Sequence, residues 1–394
     1  MEEVLDKQRQ KLETSPELKK EVQQFLEELR KKNLNAVLGG SVAMGTNLSD
    51  KDEADIFIKT EGPDYSEKLE KFLKNNNYEY KKLHGSRDYF QIYKNQVLYE
   101  LIPVKQIQKP EEAETIVDMS PFHVEYFQKN LTQELKQEIK LAKSFCKAHN
   151  IYGAESHIKG FSGHVLNILI IHYKSFKELL IQSQKWKPKV IIDLDKKIKD
   201  PLMELDKSKI EGPLIVVDPV YKYRNAAAAV SEESFNKFKK KAKEFIKKPS
   251  LELFEKEKIE DLITKDHTVL EIMPLDDKDD VAGSKIIKIK EHIERELENN
   301  GFEIKQSLWE YKKPSLLALK TKFLGKKAII TGPPLDMKEH ANKFKKKHKK
   351  YYEENGILKA EITRKYHEVE DLLKELIKNS YVKERCKSIK IKNR

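Results

Sequence analysis

The stretch that most limits what this chain can be is Glu53-Ala54-Asp55-Ile56-Phe57-Ile58, which follows the turn-forming triplet Gly39-Gly40-Ser41. The apolar run from Ile56 predicts a strand, and side chains two apart on a strand share a face, so Glu53 and Asp55 point the same way. Adjacent carboxylates repel each other unless a cation lies between them. Oxygen donors of this kind suit Mg²⁺, which takes carboxylates, water and substrate phosphates. The glycine turn exposes backbone N–H groups to an anion, and Ser41 adds a hydroxyl. Glu100, within Leu98-Tyr99-Glu100-Leu101-Ile102, supplies a third carboxylate if its strand lies beside that of Asp55. These are the parts of a two-metal phosphoryl-transfer site. The plainer alternative is a pair of surface acids at a strand edge. A Walker A loop, GxGxxG, HExxH and an EF-hand loop are all absent.

The rest of the chain sets the frame for that stretch. Its 394 residues predict two to four domains. Apolar residues make up 38% and fall in periodic blocks, which argues against wholesale disorder. The two cysteines, Cys146 and Cys386, are too few and too far apart for a disulfide scaffold or a cysteine-rich zinc site, and fit a reducing cytoplasm. No apolar run is long enough to span a membrane, and the acidic, helical start lacks a signal core, so we expect neither membrane insertion nor secretion. Charge is uneven: residues 1–100 carry 17 basic and 19 acidic side chains, residues 101–394 carry 60 and 46. A basic surface favours a polyanion such as nucleic acid, although solvated lysine-rich helix faces give the same count.

Periodicity predicts a helix over 17–32, strands at 36–38 and 55–58, a helix over 65–76 and strands at 78–83, 89–93 and 97–104. Residues 125–150 read as one amphipathic helix or two, and 164–173 and 231–246 as further helices. After 250 the pattern alternates: strands at 269–273, 302–311, 316–323, 328–330 and 357–363, and helices over 286–298, 339–351 and 369–380. The expected fold is α+β and multidomain.

The stretch GGSVAMGT with EADIF resembles the signature of the nucleotidyltransferase superfamily related to DNA polymerase beta. Ser120-Pro121-Phe122-His123, Ile151-Tyr152-Gly153-Ala154-Glu155, Gly160-Phe161-Ser162-Gly163, Val217-Asp218-Pro219-Val220, Arg224-Asn225-Ala226-Ala227 and Gly332-Pro333-Pro334 follow in order and resemble the archaeal (class I) CCA-adding enzymes, which are tRNA nucleotidyltransferases. The resemblance covers about residues 15–390. It implies template-independent addition of C, C and A to the tRNA 3′ end from CTP and ATP, with Mg²⁺ and release of pyrophosphate. A poly(A) polymerase, an enzyme adding part of CCA, and a tRNA-binding protein with impaired catalysis are the alternatives.

By the same resemblance, Glu53, Asp55 and Glu100 hold metal, and Gly40 with Ser41 binds triphosphate. His123 and Arg224 meet the incoming nucleotide and its base edge, and Lys143 and Tyr152 contact triphosphate and sugar. The implied organisation is a catalytic head (1–120), a helical neck completing the nucleotide pocket (121–250), and a body and tail gripping the acceptor and T arms (251–394). Two departures stand out: Met44 replaces a customary cation, and Arg87 replaces a customary histidine within His84–Tyr89. Arg87 is expected to touch RNA and to restore the charge missing at Met44. The tracts Lys237–Lys248, Lys343–Lys350 (KFKKKHKK, with Lys345, Lys346 and Lys347) and Lys383–Arg394 suit phosphate contacts that do not read sequence. The enzyme is expected in the cytoplasm, and a homodimer is compatible with the sequence without being fixed by it.

Overall fold

The computed structural model describes residues 1–13, 16–48, 53–62, 65–84, 87–187, 189–277 and 279–392. Of the stretches singled out above, Gly85, Ser86, Asn393 and Arg394 lie outside the described residues. The chain divides into two compact units, Met1–Glu257 and Lys258–Arg394.

The first unit begins with α1 (Glu2–Lys11), α2 (Pro16–Lys31), β1 (Ala36–Leu38), α3 (Gly40–Met44), β2 (Glu53–Thr60), α4 (Tyr65–Asn75), β3 (Lys81–Leu83), β4 (Tyr89–Lys94) and β5 (Val97–Lys105). The strands form one sheet in the order β1-β2-β5-β4-β3. Only β2 and β5 run parallel, with Asp55 opposite Glu100. Alternation sorts the two faces of β2. Ala54, Ile56 and Ile58 enter a core with Val22, Phe25, Leu29, Leu69 and Leu73 of α2 and α4. Glu53, Asp55 and Phe57 occupy the other face.

Helices follow: α5 (Ser120–Asn130), α6 (Gln133–Ala148), α7 (Gly163–Tyr173) and α8 (Phe176–Ser183). The amphipathic stretch over 125–150 is thus two helices, broken at Leu131 and restarted by Thr132, whose side chain caps the Leu135 amide. Then come β6 (Val190–Ile192), α9 (Pro201–Glu204), β7 (Leu214–Val216), which pairs in parallel with β6, and α10 (Glu232–Lys247). Phe145, Phe161, Phe176, Phe235, Phe238 and Phe245 join the aliphatic residues of α7 in the main helical core. Val124 of α5 packs with Phe57 of β2, so α5 sits on the face that carries the acids.

The second unit holds α11 (Ile259–Leu262), β8 (Thr268–Met273), α12 (Asp279–Asn299), β9 (Phe302–Glu310), β10 (Ser315–Phe323), β11 (Lys327–Pro334), α13 (Lys338–Lys347), β12 (Tyr351–Glu354), β13 (Ile357–Thr363), α14 (Val369–Leu376), α15 (Ser380–Lys383) and β14 (Ser388–Ile391). One sheet, β14-β8-β10-β9, packs against α12 and α14 through Ile286, Ile289, Ile293, Leu372 and Leu373. A second, β11-β13-β12, has α13 beside β11. The helix expected over 339–351 stops at Lys347, and Tyr351 opens β12 instead. The reason lies downstream. Asn355 and Gly356 both adopt positive φ, 54° and 73°, which is the tight hairpin turn that pairs β12 with β13 and draws Tyr351 into the ladder. Among the described residues, no helix is long and apolar enough to cross a membrane.

Candidate active site

The parallel register of β2 and β5 sets Asp55 beside Glu100, with Glu53 two residues back on the same face. Asp55 is half-buried and Glu53 exposed. Burial, then Glu100, then Glu53 push the Asp55 carboxyl up to about 7. Gln91 Nε2 donates to Glu100 Oε1 at 2.8 Å and fixes that side chain. The register thus gathers three carboxylates on one sheet face, with the Asp55 carboxyl held well above its ordinary range.

The glycine turn is pressed against these acids. Gly39 N–H donates to the Asp55 carbonyl at 2.7 Å, and a Cβ on Gly39 would lie 2.4 Å from the Phe57 ring. Gly40 has φ +58°, and its Cβ would fall 1.7 Å from Asp55 Oδ2. Only glycine fits there, in conformation and in space. The helix that starts at Gly40 leaves its first N–H groups without helical partners, beside the half-buried Ser41.

Three helices hold the far end of this turn. Gln128 of α5 donates to the Ala43 carbonyl at 3.0 Å. Lys143 of α6, 2% exposed, donates through Nζ to both the carbonyl and the hydroxyl of Thr46, at 2.9 Å each. Burial and nearby Lys140 bring its ammonium down to about 7. Thr46 N–H in turn donates to the Ser41 carbonyl at 2.9 Å. Asn167 Nδ2 of α7 approaches Met44 Sδ at 3.5 Å, and Met44 packs on the helical core. The position where a cation was expected is thus an apolar contact between α3 and α7. Tyr152 lies near Lys143: a Cβ on Gly163 would meet its hydroxyl at 3.1 Å and Lys143 Nζ at 3.4 Å.

His123 and Arg224 converge on one carboxylate whose role the sequence did not reveal. Asp218, fully buried, accepts from His123 Nε2 at 3.0 Å on both oxygens, from His164 Nε2 at 3.1 Å and from Arg224 Nη1 at 2.5 Å. The Val220 and Tyr221 amides donate to Oδ1 at 2.8 and 3.1 Å. Burial alone would raise this carboxyl; the hydrogen bonds and charge of His123 and His164 outweigh it and hold the group far below the usual range. Burial lowers His164 to about 4. Neighbouring Asn225 closes the loop: Oδ1 accepts the Val216 and Ala227 amides at 2.9 Å, and Nδ2 donates to the Lys209 carbonyl at 2.8 Å. His164 and Asp218 are the functional candidates that sequence reasoning missed. Asp218 was visible only as part of a motif, and a histidine in an apolar helix gives no signal of its own.

Arg87 is engaged within the protein. Its guanidinium makes a bidentate pair with fully buried Asp118, at 2.6 and 3.2 Å, and lies over the Tyr65 ring. Asp118 also accepts the Lys105, Glu114 and Thr115 amides. Arg87 therefore braces the end of β5, its charge paired with Asp118. In the second unit, Lys346 and Lys347 are exposed on α13, and Lys345 lies 5.7 Å over the Tyr351 ring.

Comparison with known proteins bears on this arrangement. Residues 19–123 match the family described as a nucleotidyltransferase domain, 137–255 the second domain of tRNA nucleotidyltransferase, and 275–392 the C-terminal domain of the CCA-adding enzyme. The CCA-adding enzyme of Nanoarchaeum equitans is 37% identical over 339 residues, 82% of each chain. That of Sulfurisphaera tokodaii is 36% identical over 262 residues, 64% of this chain and 60% of that protein. That of Saccharolobus solfataricus is 31% identical over 304 residues, 74% of this chain and 71% of that one. Among solved structures, a cytoplasmic RNA terminal U-transferase aligns with TM-score 0.51 at 13% identity, covering 66% of this chain and all of that one; at that identity the likeness is one of fold.

Proposed function

This chain belongs to the CCA-adding enzyme family, and we propose that its Glu53, Asp55 and Glu100 form the centre at which C, C and A are joined to the 3′ end of tRNA from CTP and ATP. The activity follows from the family: the three domain matches run in order along the chain, and the Nanoarchaeum enzyme is similar over most of its length. The carrying observation for the site is the Asp55–Glu100 register beside the Gly40 turn.

The donor set fits Mg²⁺: three carboxylates on one sheet face, one of them, Asp55, pushed up by burial and then by Glu100 and Glu53. When bound there, divalent metal supplies activation of the attacking 3′-hydroxyl and neutralisation of the leaving pyrophosphate. The remaining work falls to the protein's own groups. The amides following Gly39 and the Ser41 hydroxyl receive phosphate oxygens. Lys143, anchored on Thr46, supports this turn from behind, and Tyr152 beside it offers a hydroxyl to triphosphate or ribose. Arg224 offers its fork to the base edge, next to His123.

In this reading the head (1–120) carries the acids, the neck (121–250) completes the nucleotide pocket, and the remainder (251–394) grips the acceptor and T arms of tRNA through side chains such as Lys345, Lys346 and Lys347. The two cysteines are free and buried, in keeping with the reducing cytoplasm in which we place the enzyme. The reading holds for a monomer and for a homodimer. Incorporation of each NTP singly into tRNA ending before CCA tests it. Sequential use of CTP, CTP and ATP is expected; indifference to the nucleotide, or extension by many adenylates, overturns it.

A further inference from the structure

We propose that Asp218 is the positioning residue of the nucleotide pocket, a single buried carboxylate that fixes His123, His164 and Arg224 in the orientation in which they meet the incoming nucleotide. This rests on the reading of His123 and Arg224 as nucleotide contacts and adds two residues to it. The three partners come from α5, α7 and the loop after β7, and are far apart in sequence. All three meet at Asp218, where the His123 and His164 rings also pack edge to face at 4.6 Å between centroids; Asp218 itself has no exposed surface and cannot touch a substrate. Arg224 keeps 25% of its side chain exposed. Among the described residues, protein acceptors engage only its Nη1, so Nε and Nη2 remain available to a ligand.

The hydrogen-bond count defines what this cluster is. The ligand atoms of His123, His164 and Asp218 lie within 4.8 Å of one another, a spacing that a metal could use. Yet five donors already share the roughly four lone-pair sites of the carboxylate, one of them the Arg224 cation. This set of partners gives the carboxylate an orienting role. An ionised carboxylate only accepts, so each imidazole donates through Nε2–H and, when neutral, presents Nδ1 as an acceptor. The guanidinium is likewise held through Nη1.

The cluster is joined to the acids by packing. Val124, next to His123, contacts Phe57, two residues from Asp55 on the same strand face. Gly163, next to His164, borders Tyr152 and Lys143, and Lys143 holds Thr46 behind the Ser41 turn. Moving Asp218's partners therefore displaces the nucleotide relative to the acids.

The test compares Asp218→Asn with Arg224→Ala in the full chain, using tRNA that lacks CCA. Asparagine keeps the shape but brings an N–H₂ group toward existing donors. Asp218→Asn is expected to raise the KM for CTP and ATP roughly tenfold or more, since a hydrogen bond to a charged group is lost, and to narrow the preference for CTP over UTP. The tRNA Kd should stay as in wild type. If Asp218→Asn lowers only the Tm while Arg224→Ala alters KM and nucleotide preference, the carboxylate is mere packing and the proposal falls, leaving the pocket assignment intact. If neither variant alters nucleotide parameters, the pocket assignment falls as well. Nitrogen NMR of the wild type decides independently, even if Asp218→Asn does not fold. Both His123 and His164 should carry hydrogen on Nε2; a bare Nε2 on either ring overturns the arrangement.

Discussion

At the scale of single residues, Asp55 and Gly40 carry the sharpest expectations. Burial and two neighbouring carboxylates push Asp55 up to about 7, against 3.8 for an unperturbed aspartate. Between those values the folded state retains a proton that the unfolded chain has released, so this group's contribution to stability is present at low pH and lost as pH rises toward 7. Thermal melts without divalent metal should show wild type losing Tm relative to Asp55→Asn across that window, and added Mg²⁺ should narrow the difference at neutral pH. Parallel profiles would show that the acids do not share a site. Asp55→Ala should abolish nucleotide addition while leaving tRNA affinity near normal, because metal acts on the triphosphate and not on the duplex. Gly40→Ala meets two obstacles: a left-handed backbone, costing about 1–2 kcal/mol, and a Cβ driven into the Asp55 carboxylate. Activity should collapse well beyond the loss of stability, and kcat measured beside Tm separates the two.

At the scale of elements, the Arg87–Asp118 pair ties the loop before β4 to the turn beyond β5. Asp118 is fully buried and the Arg87 side chain only 10% exposed, so Arg87→Ala leaves a buried charge short of its partner, a loss of about 3–5 kcal/mol. A lower midpoint in urea is expected, with the tRNA Kd and its salt dependence unchanged; a flatter salt slope would return Arg87 to the RNA surface. Elements also show which sequence signals were overlooked. Asn355-Gly356 between β12 and β13 is a hairpin signal of two residues that take positive φ, and it overrides the helical periodicity running past Lys347. The break between α5 and α6 was marked by Thr132, a cap residue inside an otherwise continuous amphipathic pattern.

At the scale of the molecule, the excess of basic residues lies beyond residue 100. Lys346 and Lys347 are exposed on α13, with Lys345 and Tyr351 stacked beside them. Replacing Lys345, Lys346 and Lys347 together by alanine should weaken binding of different tRNAs about equally and flatten the dependence of Kd on salt, because fewer counterions are released. Saturating tRNA should largely restore the rate, since the acids are untouched. Titrations of wild type and variant at two salt concentrations check this, and coincident slopes would make the tract a solvated face.

The sequence by itself determined the parts that depend on neighbours along the chain. The strand period placed Glu53 and Asp55 on one face, and apolar spacing located α2, α7 and α10. Parallel pairing of β2 with β5 was needed to bring Glu100 to Asp55, and a one-residue slip would have turned it into the core. Asp218, His123, His164 and Arg224 are far apart in sequence, and their order along the chain says nothing of a shared hydrogen-bond centre. Arg87 and Met44 show the same limit: a charge or an apolar side chain takes its role from its partner. The partners, Asp118 for one and Asn167 with the helical core for the other, are fixed only when the elements pack.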